Sequence, residues 1–202
     1  MDILLPVAYL PPLSYCARLL RHENVYIELY EHFPKQTWRN RCSIYSPNGI
    51  QHLVVPISGR KDKMIVKDVR LSNERDWQTL HWRSLEAAYR SSPFFEYYED
   101  ELRPHFEKKH EFLVDLDMEL LGTLLGLLKR EQKFTCTEKF EKDPGVNDGR
   151  HLLDKKAVAA AALPRYSQVF ENKHGFLSNL SVVDLLFNQG NASADYLREL
   201  SA

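Results

Sequence analysis

The stretch ILLPVAYLPPLSYCARLLRHENVYIELY, residues 3–30, decides the fold. Ile3–Ala8 is apolar and short enough for a buried strand. Leu13, Ala17 and Leu20 recur at helical spacing behind Pro11 and Pro12, which open a helix without costing it a needed N–H. Val25–Tyr30 returns to strand composition, and Pro34, which cannot donate to a ladder, stops it. Strand, proline-opened helix and strand make a βαβ unit, hence two parallel strands with a right-handed crossover.

Outward from that unit, Arg41–Tyr45 and Gln51–Ile57 flank Pro47-Asn48-Gly49, which reads as a β-hairpin around an Asn-Gly turn. Ile65–Leu71 reads as a further strand. Ser72-Asn73 is placed to cap a helix over Glu74–Ser91, with Trp77, Leu80, Leu85, Ala88 and Tyr89 on its apolar stripe. Tyr97–Lys109 and the leucine-dense Leu113–Leu128 predict two more helices, and Phe134–Phe140 another strand. Glu141–Arg150 is charged and rich in turn residues, and alanines follow to Pro164. The span 141–163 therefore reads as a flexible excursion with one short helix. Ser181 opens a last helix that Gly190 ends, with Asp184 read as its capping carboxylate. The expectation is one α/β domain over 1–202, a mixed sheet opened by βαβ and covered by helices.

Composition narrows the function. The 202 residues are 44% hydrophobic, ample for one core, and the formal net charge of -1 provides no basic field to hold nucleic acid. The basic loop Arg60-Lys61-Asp62-Lys63 is the strongest argument for RNA, and the balanced charge weighs against it. Cys16, Cys42 and Cys136 are odd in number and far apart, which fits reduced thiols and neither a disulfide framework nor a zinc ribbon. No apolar run reaches spanning length, so membrane insertion is not expected. No H-E-x-x-H, G-x-G-x-x-G, P-loop or G-x-S-x-G occurs. No metal ligand set is expected, and the sequence names no cofactor.

Two constellations carry chemistry. KQTWRNR, Lys35–Arg41, packs three cations, two amides and an indole into seven residues after a buried strand. Arg forks bind phosphate and carboxylate in bidentate fashion, so the motif suits an anion or a nucleotide; it also suits a solvated turn over Trp38. On the predicted helix, His81 falls between Trp77 and Leu85 on the core side. It reads as a general acid or base, as a phosphate ligand, or as a core histidine bonded to a carbonyl. The corner Tyr9-Leu10-Pro11-Pro12 sits where ligands of α/β folds bind, before an open helix start; it reads equally as a plain tight connection.

The chain resembles the WbqC-like protein family. The resemblance is carried by AYLPPLSY from Ala8, EHFPKQTWRNR from Glu31, LVVPI from Leu53, IVKDVRL from Ile65, WQTLHWRSL from Trp77, AYRSSPFF from Ala88 and NLSVVDLLFNQG from Asn179. It implies a bacterial cytoplasmic protein of surface-polysaccharide or O-antigen biosynthesis, a group transferase acting on a nucleotide- or lipid-linked sugar. The alternative it leaves is a non-catalytic module for a nucleotide-sugar or a partner enzyme. The matching motif positions are Tyr9, Pro11, Lys35, Trp38, Asn40, Arg41, Asp68, His81, Trp82, Tyr89 and Pro93. Among these, His81 is the catalytic candidate, with Tyr9, Lys35, Trp38, Asn40, Arg41 and Tyr89 as contacts for an anionic small-molecule ligand. Many family members carry Gln-Pro before the first tyrosine, where this chain has Val7-Ala8; if that glutamine touches substrate, the contact is lost or replaced here.

Overall fold

The computed structural model of the chain describes residues 2–59 and 63–201. The opening unit forms as its sequence dictates. β1 (Asp2–Pro6) leads through α1 (Leu13–Arg21) into β2 (Asn24–Glu28), and β1 and β2 pair in parallel from Asp2↔Asn24 to Pro6↔Glu28. α1 buries Leu13, Cys16, Ala17 and Leu19 on one stripe, and Arg18 and Arg21 in its last turn oppose the helix dipole. The hairpin β3 (Arg41–Ser46) and β4 (Gly49–Val54) turns at Gly49, whose φ of +96 only glycine adopts cheaply.

Parallel and antiparallel pairing both occur, but in separate sheets. The four-stranded sheet runs β5-β2-β1-β6, all parallel, and the hairpin stands apart. Between them come α2 (Trp77–Tyr89), α3 (Phe95–Leu102), α4 (Pro104–Glu107) and α5 (Leu113–Leu127). β5 (Phe134–Cys136) and β6 (Asn147–Asp148) complete the parallel sheet. α6 (Lys155–Ala160), α7 (Glu171–His174), α8 (Val182–Gln189) and α9 (Ala192–Ser201) close the chain, with α9 packed on α1.

Several boundaries differ from the sequence reading, each for a local reason. Ile65–Leu71 forms no strand. Its backbone pairs singly with separate partners, His32↔Ile65, Ile57↔Leu71 and Arg70↔Phe112, around a 3-10 turn at Val66–Asp68. The predicted helix over 97–109 is two helices, because Pro104 has no N–H to continue α3. β5 stops at Cys136, since the Thr137 side chain turns in to accept from Leu29 N–H at 3.1 Å. Asp76, not Ser72 or Asn73, caps α2, accepting from the Thr79 amide at 3.2 Å. The span 141–163 contains the expected short helix, α6, but also supplies β6, which pairs with Ile3 and Leu4. Gly149 follows, so close to β1 that a Cβ there would stand 2.6 Å from Leu5 Cδ2.

Candidate functional site

β3 and β4 have two faces, and the register assigns side chains to each. Cross-strand partners share a face and neighbours along a strand alternate. Arg41 pairs with Val54 and Ser43 with His52, so these four share one face. Cys42, Leu53, Ile44 and Gln51 share the other. That second face lies on α2, where Gln51 Nε2 donates to Ser84 Oγ at 3.1 Å.

Under the hairpin, Tyr9 and His81 meet. Tyr9 Oη lies 2.8 Å from His81 Nδ1, and both side chains are buried. The Val54 carbonyl also bonds the imidazole. A carbonyl only accepts, so the ring nitrogen facing it carries the hydrogen, and Nδ1 accepts from the Tyr9 hydroxyl. Burial pushes the His81 pKa down to about 4, against a smaller upward pull from the Val54 carbonyl. Burial raises that of Tyr9 well above its ordinary value. The ring is therefore neutral at pH 7 with both nitrogens engaged. Trp77 meets its edge, with centroids 5.1 Å apart. Deeper still, Asp117 lies on the leucine stripe of α5, 1% exposed, and neither carboxylate oxygen has a hydrogen-bond partner. Burial drives its pKa well up, and its charge would bear on both Tyr9 and Tyr15.

On the outer face the situation inverts. Arg41 Nε is buried without a hydrogen-bond partner, and among the described residues no carboxylate lies within ion-pair distance of this guanidinium. Ser43 Oγ is 3.0 Å from His52 Nδ1, and Trp38 meets the His52 ring edge-on at 6.5 Å. Partial desolvation, then the positive charges of Arg41 and Lys155, lower the His52 pKa. Two cations thus bear on one imidazole, and Lys155 comes from the start of α6. A guanidinium, a hydroxyl and an imidazole beside an indole, in the field of a nearby lysine, can receive a phosphoryl group.

The family pattern bears on this arrangement. The sequence signature of the WbqC-like protein family matches residues 7–161. The chain belongs to the WbqC-like family. A relative described as an uncharacterized protein, Rv1507c of Mycobacterium tuberculosis, is 28% identical over 195 residues, covering 82% of this chain and 84% of its own. No solved structure matches the chain.

Within this WbqC-like chain, the positions singled out from sequence fall into separate places. Tyr9 and His81 meet beneath the hairpin. Trp38 and Arg41 lie by its outer face, and Asn40 serves the backbone, its Nδ2 donating to the Val55 carbonyl at 2.8 Å. Tyr89 belongs to neither group. Its hydroxyl donates to Asp184 Oδ1 at 2.8 Å and accepts from the Tyr45 amide at 2.9 Å. Lys35 is exposed in the turn before Trp38. Register places Arg41 and the α2 residue His81 across the hairpin from each other, so the structure does not gather them into one cleft.

Other readings are corrected. Asp184 is no cap. It is a buried hub that also receives Tyr166 Oη at 2.6 Å and Gln168 Nε2 at 3.0 Å, while the Ser181 side chain faces the Val183 amide. The helix start after Tyr9–Pro12 offers no vacant amides at Leu13 and Ser14, which donate to the Leu180 carbonyl and Asn179 Oδ1. The tight-connection reading of that corner is the one realised. Arg39 is not available to an anion: Glu31 holds it through two bonds of 2.7 and 2.8 Å, with Thr37 Oγ1 taking a third N–H. The motif position Asp68 is exposed, with Lys67 as its ion-pair neighbour at 3.9 Å. Of the basic loop, Arg60–Asp62 lie outside the described residues.

Sequence reasoning passed over His52, Lys155 and Asp117. Strand pairing sets His52 on the Arg41 face, and the charge of Lys155, more than a hundred residues further on, bears on His52. Asp117 alone left a trace: an acid at an i, i+4 position within an apolar stripe.

Proposed function

We propose that this WbqC-like protein acts in bacterial surface-polysaccharide biosynthesis, in the cytoplasm, as a group transferase. In this reading it grips the phosphoryl group of a nucleotide- or lipid-linked sugar at Arg41. The buried, unpartnered Nε of Arg41 carries the reading. A guanidinium that spends one N–H on nothing, and has no carboxylate counter-ion among the described residues, is incomplete without an anion. Lys155 and His52 add charge and hydrogen-bonding capacity, and Trp38 supplies an apolar wall. Among the described residues no helix is long and apolar enough to cross a membrane, so a lipid-linked substrate would be met at its head group.

A second reading has its own observation. His81, the proton-transfer candidate, is capped on both ring nitrogens and lies across the hairpin from Arg41. That favours a module that holds a sugar carrier without turning it over.

Thermal melts with UDP- and CMP-linked sugars and with inorganic pyrophosphate test the grip. Arg41→Lys keeps the charge and loses the fork, so anion binding should weaken by roughly 1.5–3 kcal/mol. Stability should change by less than about 0.5 kcal/mol. A strongly destabilised Arg41→Lys protein with an unchanged ligand response would refute the reading. Release of sugar from the carrier separates transferase from holder.

A further inference from the structure

α5 ends in a backbone pattern that ordinarily belongs to glycine. The Arg130 amide donates to the Leu125 carbonyl and the Lys129 amide to the Gly126 carbonyl, both at 2.9 Å. This is the Schellman arrangement, in which the first residue past the cap turns left-handed and the second commonly packs an apolar side chain back on the helix. Lys129 holds the left-handed position, with φ of +54, and Arg130 follows it. Glycine takes that backbone more cheaply than lysine does, and a guanidinium stands where the motif favours a hydrophobe. Both positions carry a cation that the helix end does not require.

The two cations share a cavity of about 190 Å³ with the turn from α8 into α9. Lys129, Arg130 and Arg198 line it together with Gly190, Asn191 and Ala194, and among the described residues no carboxylate does. Arg130 is half-buried and Lys129 exposed. The Arg130 Nε has no hydrogen-bond partner, and among the described residues no carboxylate lies within ion-pair distance of Arg130 or Lys129. Arg198 shares one Nη with Asp195 at 2.8 Å, in an exposed pair.

Cations at a helix C-terminus answer the helix dipole, but that end is worth only about half a charge. Here the positive end of α9, which begins at Ala192 beside the cavity, offsets it. Three cations therefore face the cavity against one carboxylate, Asp195. The start of α9 is not itself the binding group: the Ser193 amide donates to the Gly190 carbonyl and its hydroxyl to the Leu185 carbonyl. The side chains are what remain to receive a ligand. The cavity is smaller than the roughly 300–1,000 Å³ of sites that enclose a whole small molecule, so it suits a compact anion. Two guanidinium forks and an ammonium match the several oxygens of a phosphoryl dianion better than the two of a carboxylate.

We propose that this cavity binds a phosphoryl group, held by the terminal N–H groups of Arg130 and Arg198 and by Lys129 as a point charge. None of Arg41, Ser43 and His52 lines it, so the proposal does not rest on the function proposed above. Nitrogen-15 NMR reads the site residue by residue. Inorganic phosphate, titrated against potassium chloride at constant ionic strength, should move the amides of Lys129, Arg130, Asn191 and Ala194, and the Arg130 Nε–H, along saturating curves. Acetate at the same concentrations should move them little. Lys129→Gly removes a cation and relieves the left-handed backbone, so it should fold at least as well as the parent and bind phosphate a few-fold more weakly. Arg130→Gln should weaken binding about tenfold or more, the scale of one charge-assisted hydrogen bond. Arg41→Lys should leave these shifts unchanged, which keeps this site distinguishable from the hairpin. Glycerol 3-phosphate separates the sources: binding equal to that of phosphate assigns the site to an esterified phosphoryl group, and weaker binding to free phosphate. No saturating shift at these residues, an equal response to acetate, or phosphate binding unchanged in both Lys129→Gly and Arg130→Gln overturns the proposal.

Discussion

The two faces of the hairpin β3–β4 carry polar groups of similar kind and put them to opposite use. Beneath it, Tyr9 and His81 satisfy each other and the Val54 carbonyl, in a setting that keeps the imidazole neutral. Above it, Arg41 keeps a buried N–H with no partner among the described residues and stands on the face of His52, on which the charge of Lys155 also bears. One residue of alternation separates the two. A buried polar group that is fully paired holds a structure together, and one left unpaired awaits something.

The contrast is broken most forcefully at His81. His81→Ala removes a buried ring and strands two hydrogen-bonding groups, so urea unfolding should show a loss of about 3–4 kcal/mol. Arg41→Ala should cost less than about 1 kcal/mol. Equal losses would mean that both faces are structural.

Acid sharpens the same comparison. His81 is held near about 4 when folded, against roughly 6.5 when unfolded. The unfolded chain then takes up the proton first, and stability falls as pH drops through this window, by roughly 3 kcal/mol. Asp117 acts in the opposite sense. Its folded pKa is raised, so its contribution is fully present below about pH 4 and is lost as pH rises. Asp117→Asn should therefore be the more stable protein at pH 7, by about 1.4 kcal/mol for each unit of displacement. That advantage should shrink towards pH 4, where the His81 loss stands unopposed. Chemical denaturation of both proteins across pH 4–7 checks the two signs together.

A smaller effect separates the two ends of the excursion. Arg150 is tied to Asp148, Glu28 and the carbonyls of Glu141 and Lys142, whereas Lys155 is exposed at the start of a short helix without a side-chain cap. Trypsin should cut after Lys155 or Lys156 before it cuts after Arg150, and pyrophosphate should slow the Lys155 cut if that lysine helps hold the anion. The smallest expected change is at His52. Lys155→Ala removes one of the cations depressing its pKa, so the imidazole should titrate higher in an NMR titration, by a small margin that salt erases.

The legible parts of this protein were those whose signal is local. Prolines at 11 and 12, two apolar runs and an Asn-Gly turn suffice for the βαβ unit and the hairpin, because each rule acts within a few residues. β6 was illegible: Asn147-Asp148 has no strand propensity and exists because β1 offers it an edge and Gly149 lets it approach. Helical spacing did place His81 towards the core, and the motif did mark Arg41. Their separation follows from hairpin register relative to α2, which no local pattern encodes. Tyr89 shows the same limit, since its hydroxyl is claimed by Asp184, ninety-five positions along the chain.

The lateness of β6 has a consequence for synthesis. β1 leaves the ribosome first and finds β2 soon afterwards, yet its other edge is not paired until residues 147 and 148 emerge. At roughly 5–20 residues per second, Ile3 and Leu4 present an open strand edge for about 7–30 s on every nascent chain. Throughout that interval the growing protein is a candidate for strand exchange with its neighbours on the same message. α1 waits longer still, because α9, which packs on it, is made after β6.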